Sequence, residues 1–532
     1  MTNTAKNIAK GISILGITGI VCKVIGLLFS IPLNNIYSDT IEANDVAGLF
    51  YSVYPTYTLL LTISSAGLPV AVSRLVAGFL ARGDRDSAWT TFRTALRMLT
   101  CLGAVCTVLM VLLNKVLVAW VDKPLSSMGF YAIAPCVFIV CILSAYRGFI
   151  QGQHNMLPTA VTQLIEQVGK VIISLPLAYI GVHYFNSLEI AAAGALLGIT
   201  VAELIALCYI MIHHKFLKKQ FDIIPQNQEE HPLDQRSILR RLIMISIPIT
   251  ITACIIPLSG FIDSIMMMKR MMVSGLSWEE ADAAYNLFHG VVIRFINIPT
   301  AVALAISMNL VPVISARRAV NDHEGIRRES NTGMRYAFLI GFPASVGMSL
   351  LSRGAVEFFY RNSFPAWKIT LASELLSVSA LTVILFTAVQ ATSSILQGIR
   401  RQKIPMYAMA AGVAVKVILN FILIGTPGIN IHGGPIASIF CYAVALVINI
   451  VFVCRYTKLK FNWMDWLVRP GLATAVMGGI VYALLCILPA GRLSTIIEIT
   501  AGVIAFIVAA IVLKAISLDE LRKMLKRGRS KA

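Results

Sequence analysis

The chain has 532 residues, of which 57% are hydrophobic and only 13% charged, about half the charged share of roughly 25% found in soluble proteins. A water-soluble fold of this composition would expose large apolar patches and is excluded. What remains is an all-α polytopic membrane protein, in which about 20 apolar residues make one helical span. The formal charge of +19, from 45 Lys and Arg against 26 Asp and Glu, would point to nucleic acid in a soluble protein. In a membrane protein it reflects the Lys and Arg collected by cytoplasmic loops, so no nucleic-acid partner is expected.

The first apolar run follows Lys6 and Lys10, like the start of a signal peptide, but it is too long, carries Lys23 and lacks a small-x-small cleavage site. It is expected to be a retained first helix. Hydropathy places six spans at 10–37, 46–80, 89–121, 127–150, 158–183 and 188–214. A polar connector over 215–241 contains PQNQEEHPLDQ. Six further spans follow at 242–268, 283–315, 334–351, 371–397, 404–425 and 431–456, then two more at 467–488 and 494–516, and a basic tail over 517–532. The expected architecture is therefore about fourteen helices. Its parts are an N-terminal six-helix lobe over 1–214, the connector, a C-terminal six-helix lobe over 242–456, two extra helices over 457–516 and the tail.

With the N-terminus in the cytoplasm, cytoplasmic segments and their flanking turns receive 32 of the 45 Lys and Arg, outer segments 8 and span interiors 5. This excess puts both termini inside, where Arg522, Lys523, Lys526, Arg527 and Arg529 can touch anionic lipid. The ten cysteines lie almost entirely in apolar runs and form no CxxC pair. They read as small buried hydrophobes, and no metal or disulfide framework is indicated.

An internal duplication is visible. Pro69, Val70 and Arg74 match Pro312, Val313 and Arg317 at a shift of 243, and Gln151-Gly152 and Lys170-Val171-Ile172 match Gln397-Gly398 and Lys416-Val417-Ile418 at a shift of 246. Two ordered matches at nearly one shift are not expected from chance among apolar helices. Each repeat has an even number of spans, so the repeats are parallel, about an axis along the membrane normal. A transporter built this way places its site between the halves.

A charge in hydrocarbon costs at least about 2.5–3.5 kcal/mol and normally faces a wet cavity or a partner. Lys23 shares a helical face with Gly16, Gly19, Gly26, Ser30 and Asn34, Arg74 with Ser64, Gly67, Ala71 and Gly78, and Arg294 with Gly290, Asn297 and Ala301. Small residues on such faces also serve as plain helix contacts while the cation snorkels. For Arg74, near an interface, both readings stand; for the deeper Lys23 and Arg294 a cavity is favoured. On span 5, Gln163, Glu166, Gln167, Lys170 and Ser174 share a face, and Glu166 and Lys170 have the favourable spacing for a helical ion pair that pins helices together. Lys416, the repeat mate of Lys170, has Gly412 and Asn420 on its face. Asp263 and Glu203 have no near cation in sequence and are candidates either for pairing across helices or for binding a coupling proton or Na⁺. Pro248, Pro257, Pro299 and Pro312 predict bends in spans 7 and 8, although membrane helices are proline-rich in any case. No Walker A, HExxH or Ser-His-Asp arrangement is present, so no enzyme is expected.

The segments KGISILGITGIVCKVIGLLFSIPL, SAGLPVAVSRLVAGFLARGD and RGFIQGQHNMLPTAVTQLIEQVGKV resemble the SpoVB/YtgP group of MurJ-type flippases. That group belongs to the multidrug/oligosaccharidyl-lipid/polysaccharide exporter superfamily. The resemblance covers essentially the whole chain. It implies a flippase for lipid II, the undecaprenyl-diphosphate-linked peptidoglycan precursor, in a bacterial plasma membrane, with that glycolipid and membrane lipids as partners, expected to function as a monomer. It also implies a central cavity in which basic residues of spans 1, 2 and 8 hold the diphosphate, and Lys23, Arg74 and Arg294, with Asn297 beside the last, fall on those spans. No cofactor is expected beyond a coupling ion, Na⁺ or H⁺, or the membrane potential. The rival readings are a flippase for another undecaprenyl-linked saccharide and a cation-coupled antiporter of small organic cations. The antiporter predicts an acidic cavity.

Overall fold

The computed structural model describes residues 3–42, 45–221, 234–459, 462–489 and 491–516. The centre of the connector and the basic tail lie outside the described residues. Twelve helices among the described residues are long and apolar enough to cross a membrane. They are spans 2 to 8, Asp45–Leu80, Arg85–Leu112, Pro124–Gly152, Leu157–His183, Leu188–Phe216, Gln235–Val273 and Trp278–Leu304, and spans 10 to 14, Ala366–Gly398, Lys403–Ile424, Asn430–Thr457, Met464–Ile487 and Arg492–Val512. Span 9 is a bent pair, His323–Leu350 and Ser352–Tyr360, broken by 65°. The helix Asn3–Asn34, with its apolar stretch Val21–Asn34, takes the place of span 1.

The largest departures from the hydropathy reading are in spans 3 and 9, while spans 7, 8 and 10 begin five to seven residues earlier than expected. Span 3 was expected to run to residue 121, but its helix stops at Leu112 and a separate short helix, Asn114–Val121, follows. Span 9 begins eleven residues earlier than expected, at His323, where the Asp322 carboxylate accepts from the Gly325 amide at 2.7 Å, an N-cap that satisfies one of the orphan donors of the first turn.

Two of the three helix-widening turns among the described residues lie just before a proline, while Pro248, Pro257, Pro299 and Pro312 sit inside helices that continue through them. Widened, π-type turns occupy Lys170–Ser174 and Met464–Val468. Pro176 and Pro470 follow them, each lacking the N–H that would bond four residues back, so the ladder loosens just before the ring. A third such turn, Leu287–Val292, opens span 8 with no proline beside it. Such bulges recur at functional sites.

The chain packs as two compact units, residues 1–290 and 291–532. In the first, spans 1 to 6 surround a buried apolar core, and span 7 lies along spans 2 and 3. Gly67 permits this contact: a side chain there would run into the Ser246 carbonyl. The unit boundary therefore falls within span 8, whereas the duplication has its own boundary at the connector. In the second unit, spans 13 and 14 form a hairpin against span 9, with span 14 on its tilted half.

The duplicated motifs touch one another inside each unit. Gly152 at the end of span 4 packs on Ser73 and Val76 of span 2, and Gly398 at the end of span 10 packs on Val311 and Ile314 of the helix Ile293–Ala319, which continues span 8. The Ser315 hydroxyl also donates to the Gly398 carbonyl at 3.2 Å. Motifs paired by sequence alone thus make one helix contact twice.

The predicted orientation is checked by cysteine labelling. Single cysteines at Gln228 and Ser530 are expected to react only from the cytoplasmic side; labelling of either from outside reverses the assignment.

Candidate functional site: intramembrane charges

Lys23 is half-buried on span 1, and among the described residues nothing lies within 4 Å of where a side chain would stand at Gly19 or Gly26. One turn to either side of the ammonium, no described residue covers the helix surface. Farther along the same stripe the picture reverses. Ser30 and Asn34 are fully buried, and the Asn34 amide donates to the Ser30 carbonyl at 2.7 Å and the Gly290 carbonyl at 3.2 Å. The stripe is half open face and half helix contact.

Span 2 divides in the same way. Ser64 and Ala71 are buried and Gly67 abuts span 7, so these small residues serve packing; Arg74 is exposed, and the space at Gly78 is open. Arg294 and Asn297 are both half-buried on span 8, just after the π-type turn, and Ala301 on their face is buried. Lys23 and Arg74 belong to the first unit, Arg294 and Asn297 to the second.

The spacing of Glu166 and Lys170 predicts a helical pair; the structure pairs Glu166 with Arg147 of span 4 instead. The Arg147 guanidinium also donates to the Thr162 hydroxyl, from Nε at 3.0 Å and Nη2 at 2.8 Å. The forked, planar group can reach both acceptors at once. Glu203 of span 6 is buried beside Glu166, and its Oε2 has no hydrogen-bond partner among the described residues. The Lys170 ammonium sits 4.5 Å from the Phe29 ring centre, 4.7 Å from Tyr54 and 5.2 Å from Phe50, a cation–π cage that joins spans 1, 2 and 5. Helix pinning, expected from one pair, is divided between two cations. Arg147 was missed by sequence reasoning; the signal was a cation in span 4, which one short turn joins to the span carrying Glu166.

Asp263 is buried on span 7, and Lys416 is half-buried on span 11. Beside Lys416, Gly412 presses on the Cys441 carbonyl of span 12 and Asn420 is buried. The ten cysteines are free, and no cluster of three or more His, Cys, Asp or Glu suited to a metal occurs among the described residues.

A second residue that sequence reasoning missed is Lys123, in the connection between spans 3 and 4. It is 1% exposed, forms an ion pair with Asp282, and donates to Asn286 Oδ1 at 2.8 Å and to the Gly48 carbonyl at 3.3 Å. Its ammonium also lies 5.2 Å from the Tyr285 ring centre. Burial pushes the Lys123 ammonium below its ordinary pKa, and the Asp282 carboxylate opposes that shift. Gly48 leads into span 2, Lys123 precedes span 4 and Asp282 opens span 8. Their meeting requires these three helix ends on one side of the membrane, which the alternating topology provides.

The comparisons with known proteins agree with this architecture. The family model described as polysaccharide biosynthesis protein matches residues 8–317, and the MatE model matches residues 248–422. The lipid II flippase MurJ of Bacillus subtilis (strain 168) is 24% identical over 473 residues, covering 86% of this chain and 84% of its own. Stage V sporulation protein B of the same organism is 24% identical over 530 residues, 98% of each chain. Among solved structures, the lipid II flippase MurJ in an inward closed conformation aligns with a TM-score of 0.70 at 13% identity, over 94% of this chain and 98% of that one. An inward-facing multidrug-resistance MATE transporter aligns with a TM-score of 0.67 at 14% identity, over 84% and 98%.

Proposed function

Because this chain belongs to the polysaccharide biosynthesis protein family, as a MurJ-type, SpoVB-like member of the multidrug/oligosaccharidyl-lipid/polysaccharide exporter superfamily, we propose that it moves lipid II from the inner to the outer leaflet. Lys23, Arg74 and Arg294, with Asn297, line one cavity in this reading and hold the diphosphate, while the polyprenyl tail stays in lipid.

The observation that carries the reading is the face around Lys23: an ammonium inside a span, flanked by two glycines with nothing among the described residues in front of them. An intramembrane cation is tolerated where it meets water or an anion, and an anionic headgroup supplies the latter. Arg74, exposed beside the open space at Gly78, has the same setting. An inside-negative potential favours outward movement of an anion by about 2.3 kcal/mol per charge per 100 mV, so the potential itself, or a cation moving inward down it, supplies the drive.

A flippase for another undecaprenyl-linked saccharide is the second reading, favoured by the extent of the polysaccharide biosynthesis match. An antiporter of organic cations calls for an acidic cavity, and Glu166 is already tied to Arg147. Expression in bacteria depleted of their lipid II flippase tests the proposal: growth is expected to be restored, and lysis at wild-type expression levels rejects lipid II as substrate.

A further inference from the structure

The second unit carries a built cavity that the proposed transport path does not use. Four parts of the fold come together there: the break and tilted half of span 9, the first turns of span 10, the start of span 12 and the turn between spans 13 and 14. In the charge-sorted topology all four lie at the outer side.

The first compartment, of about 140 Å³, lies between the tilted half of span 9 and the 13–14 hairpin, and Arg353, Arg361 and Arg492 line it. Gly354 allows the close approach that forms it, since a side chain there would meet the Thr495 hydroxyl. Outer segments hold only eight of the 45 Lys and Arg, yet three of those eight face this one space. Arg353 is paired with Glu357 at 2.8 Å. Arg361 and Arg492 are exposed and have no ion-pair partner among the described residues. The buried Glu498 lines the same compartment, so with Glu357 tied to Arg353 the two remaining guanidinium forks outnumber it by one. A fork matches pairs of phosphate oxygens, and the excess suits a phosphate or diphosphate ester.

The second compartment, of about 560 Å³, adjoins the first and shares Arg353 with it, a size in the range of roughly 300–1,000 Å³ usual for small-molecule sites. Its lining is of a different chemistry: Ser352, Thr370, Ser373, Ser377, Glu374 and His432. The Ser373 and Thr370 hydroxyls donate to the Ile369 and Ala366 carbonyls, at 2.6 and 3.0 Å. Their hydrogens are engaged, so their lone pairs are left to accept. The exposed Glu374 carboxylate, 3.4 Å from His432, adds a further acceptor. A wall of acceptors complements a ligand rich in O–H donors, as a saccharide is.

We propose that this two-part cleft is an outer release subsite that takes the phosphate ester of a lipid-linked saccharide against Arg361 and Arg492 and its sugar against the hydroxyl wall. The proposal rests on the flippase reading and deepens it. An anionic phospholipid offers the same phosphate, but it leaves the hydroxyl compartment without a matching ligand.

The test is photo-crosslinking of the full chain in nanodiscs, with Val378 of the second compartment replaced by benzoylphenylalanine. The probes are lipid II, undecaprenyl phosphate and phosphatidylglycerol at equal mole fraction. Lipid II is expected to label at least about fivefold above the other two, and Arg361→Gln with Arg492→Gln to cut that labelling about fivefold, as expected for loss of charge-assisted phosphate contacts. Unchanged melting and elution of the double variant show that it is folded. Equal labelling by phosphatidylglycerol makes the cleft a general phospholipid site and overturns the proposal, as does lipid II labelling that survives the double substitution. Lipid II transport by the same protein in vesicles separates the two readings. Transport without labelling removes the subsite alone, and labelling without transport keeps the subsite and removes the flippase reading.

Discussion

Arg294→Ala is expected to leave the protein in the membrane but unable to support growth of cells depleted of their lipid II flippase. Arg294 is half-buried within span 8, one turn before Asn297 and just ahead of Pro299. The π-type turn Leu287–Val292 directly precedes its helix. A guanidinium grips two diphosphate oxygens with parallel hydrogen bonds. Lys23 offers a point charge, and Arg74 is exposed near an interface, where headgroups can satisfy it in part. Losing a hydrogen bond to a charged group costs about 1.5–3 kcal/mol, roughly ten- to a hundredfold in affinity. Arg294→Lys keeps the charge but loses the fork, so partial growth is expected. Growth of Arg294→Ala equal to wild type at matched expression places the diphosphate elsewhere.

The largest effect on stability is expected at Asp282. Asp282→Ala removes the counter-charge of an ammonium that is 1% exposed. Asn286 and Gly48 still accept from Lys123, but neither carries charge. Breaking a buried pair from one side typically costs about 3–5 kcal/mol, because the remaining charge is stranded, whereas replacing both partners by apolar groups is often neutral. Asp282→Ala should therefore lower the melting temperature of the purified protein sharply, and Lys123→Met combined with Asp282→Leu should recover most of it. If Asp282→Ala melts with the wild type, the pair does not hold the start of span 8 to spans 2 and 4.

The helices were legible because each is a long apolar run between polar turns, and the duplication because it preserves residue identities such as Pro69 with Pro312. The bend of span 9 was not, since apolar residues continue through Leu350 and Leu351 and the direction of a helix leaves no mark in hydropathy. The small-residue stripes posed a different difficulty. A glycine that lets helices touch and a glycine that lines open space look alike in sequence; only packing separates Gly67, closed by Ser246, from Gly19, Gly26 and Gly78, which face open space. The partner of Glu166 was misassigned for a related reason. Spacing finds neighbours on one helix, while Arg147 arrives from another, and Lys170 is held by rings from spans 1 and 2. Lys123 carried no signal beyond being one of few outer cations, because the groups that hold it lie 75 to 163 positions away in sequence.

The most direct test of the central claim is translocation of lipid II by the purified full chain in proteoliposomes, read as accessibility of the headgroup in the opposite leaflet. The expected result is transfer well above protein-free vesicles, accelerated by a potential negative on the cytoplasmic side and lost in Arg294→Ala. Lipid II that stays in its original leaflet, in vesicles where the same protein exchanges small organic cations for protons or Na⁺, would contradict it.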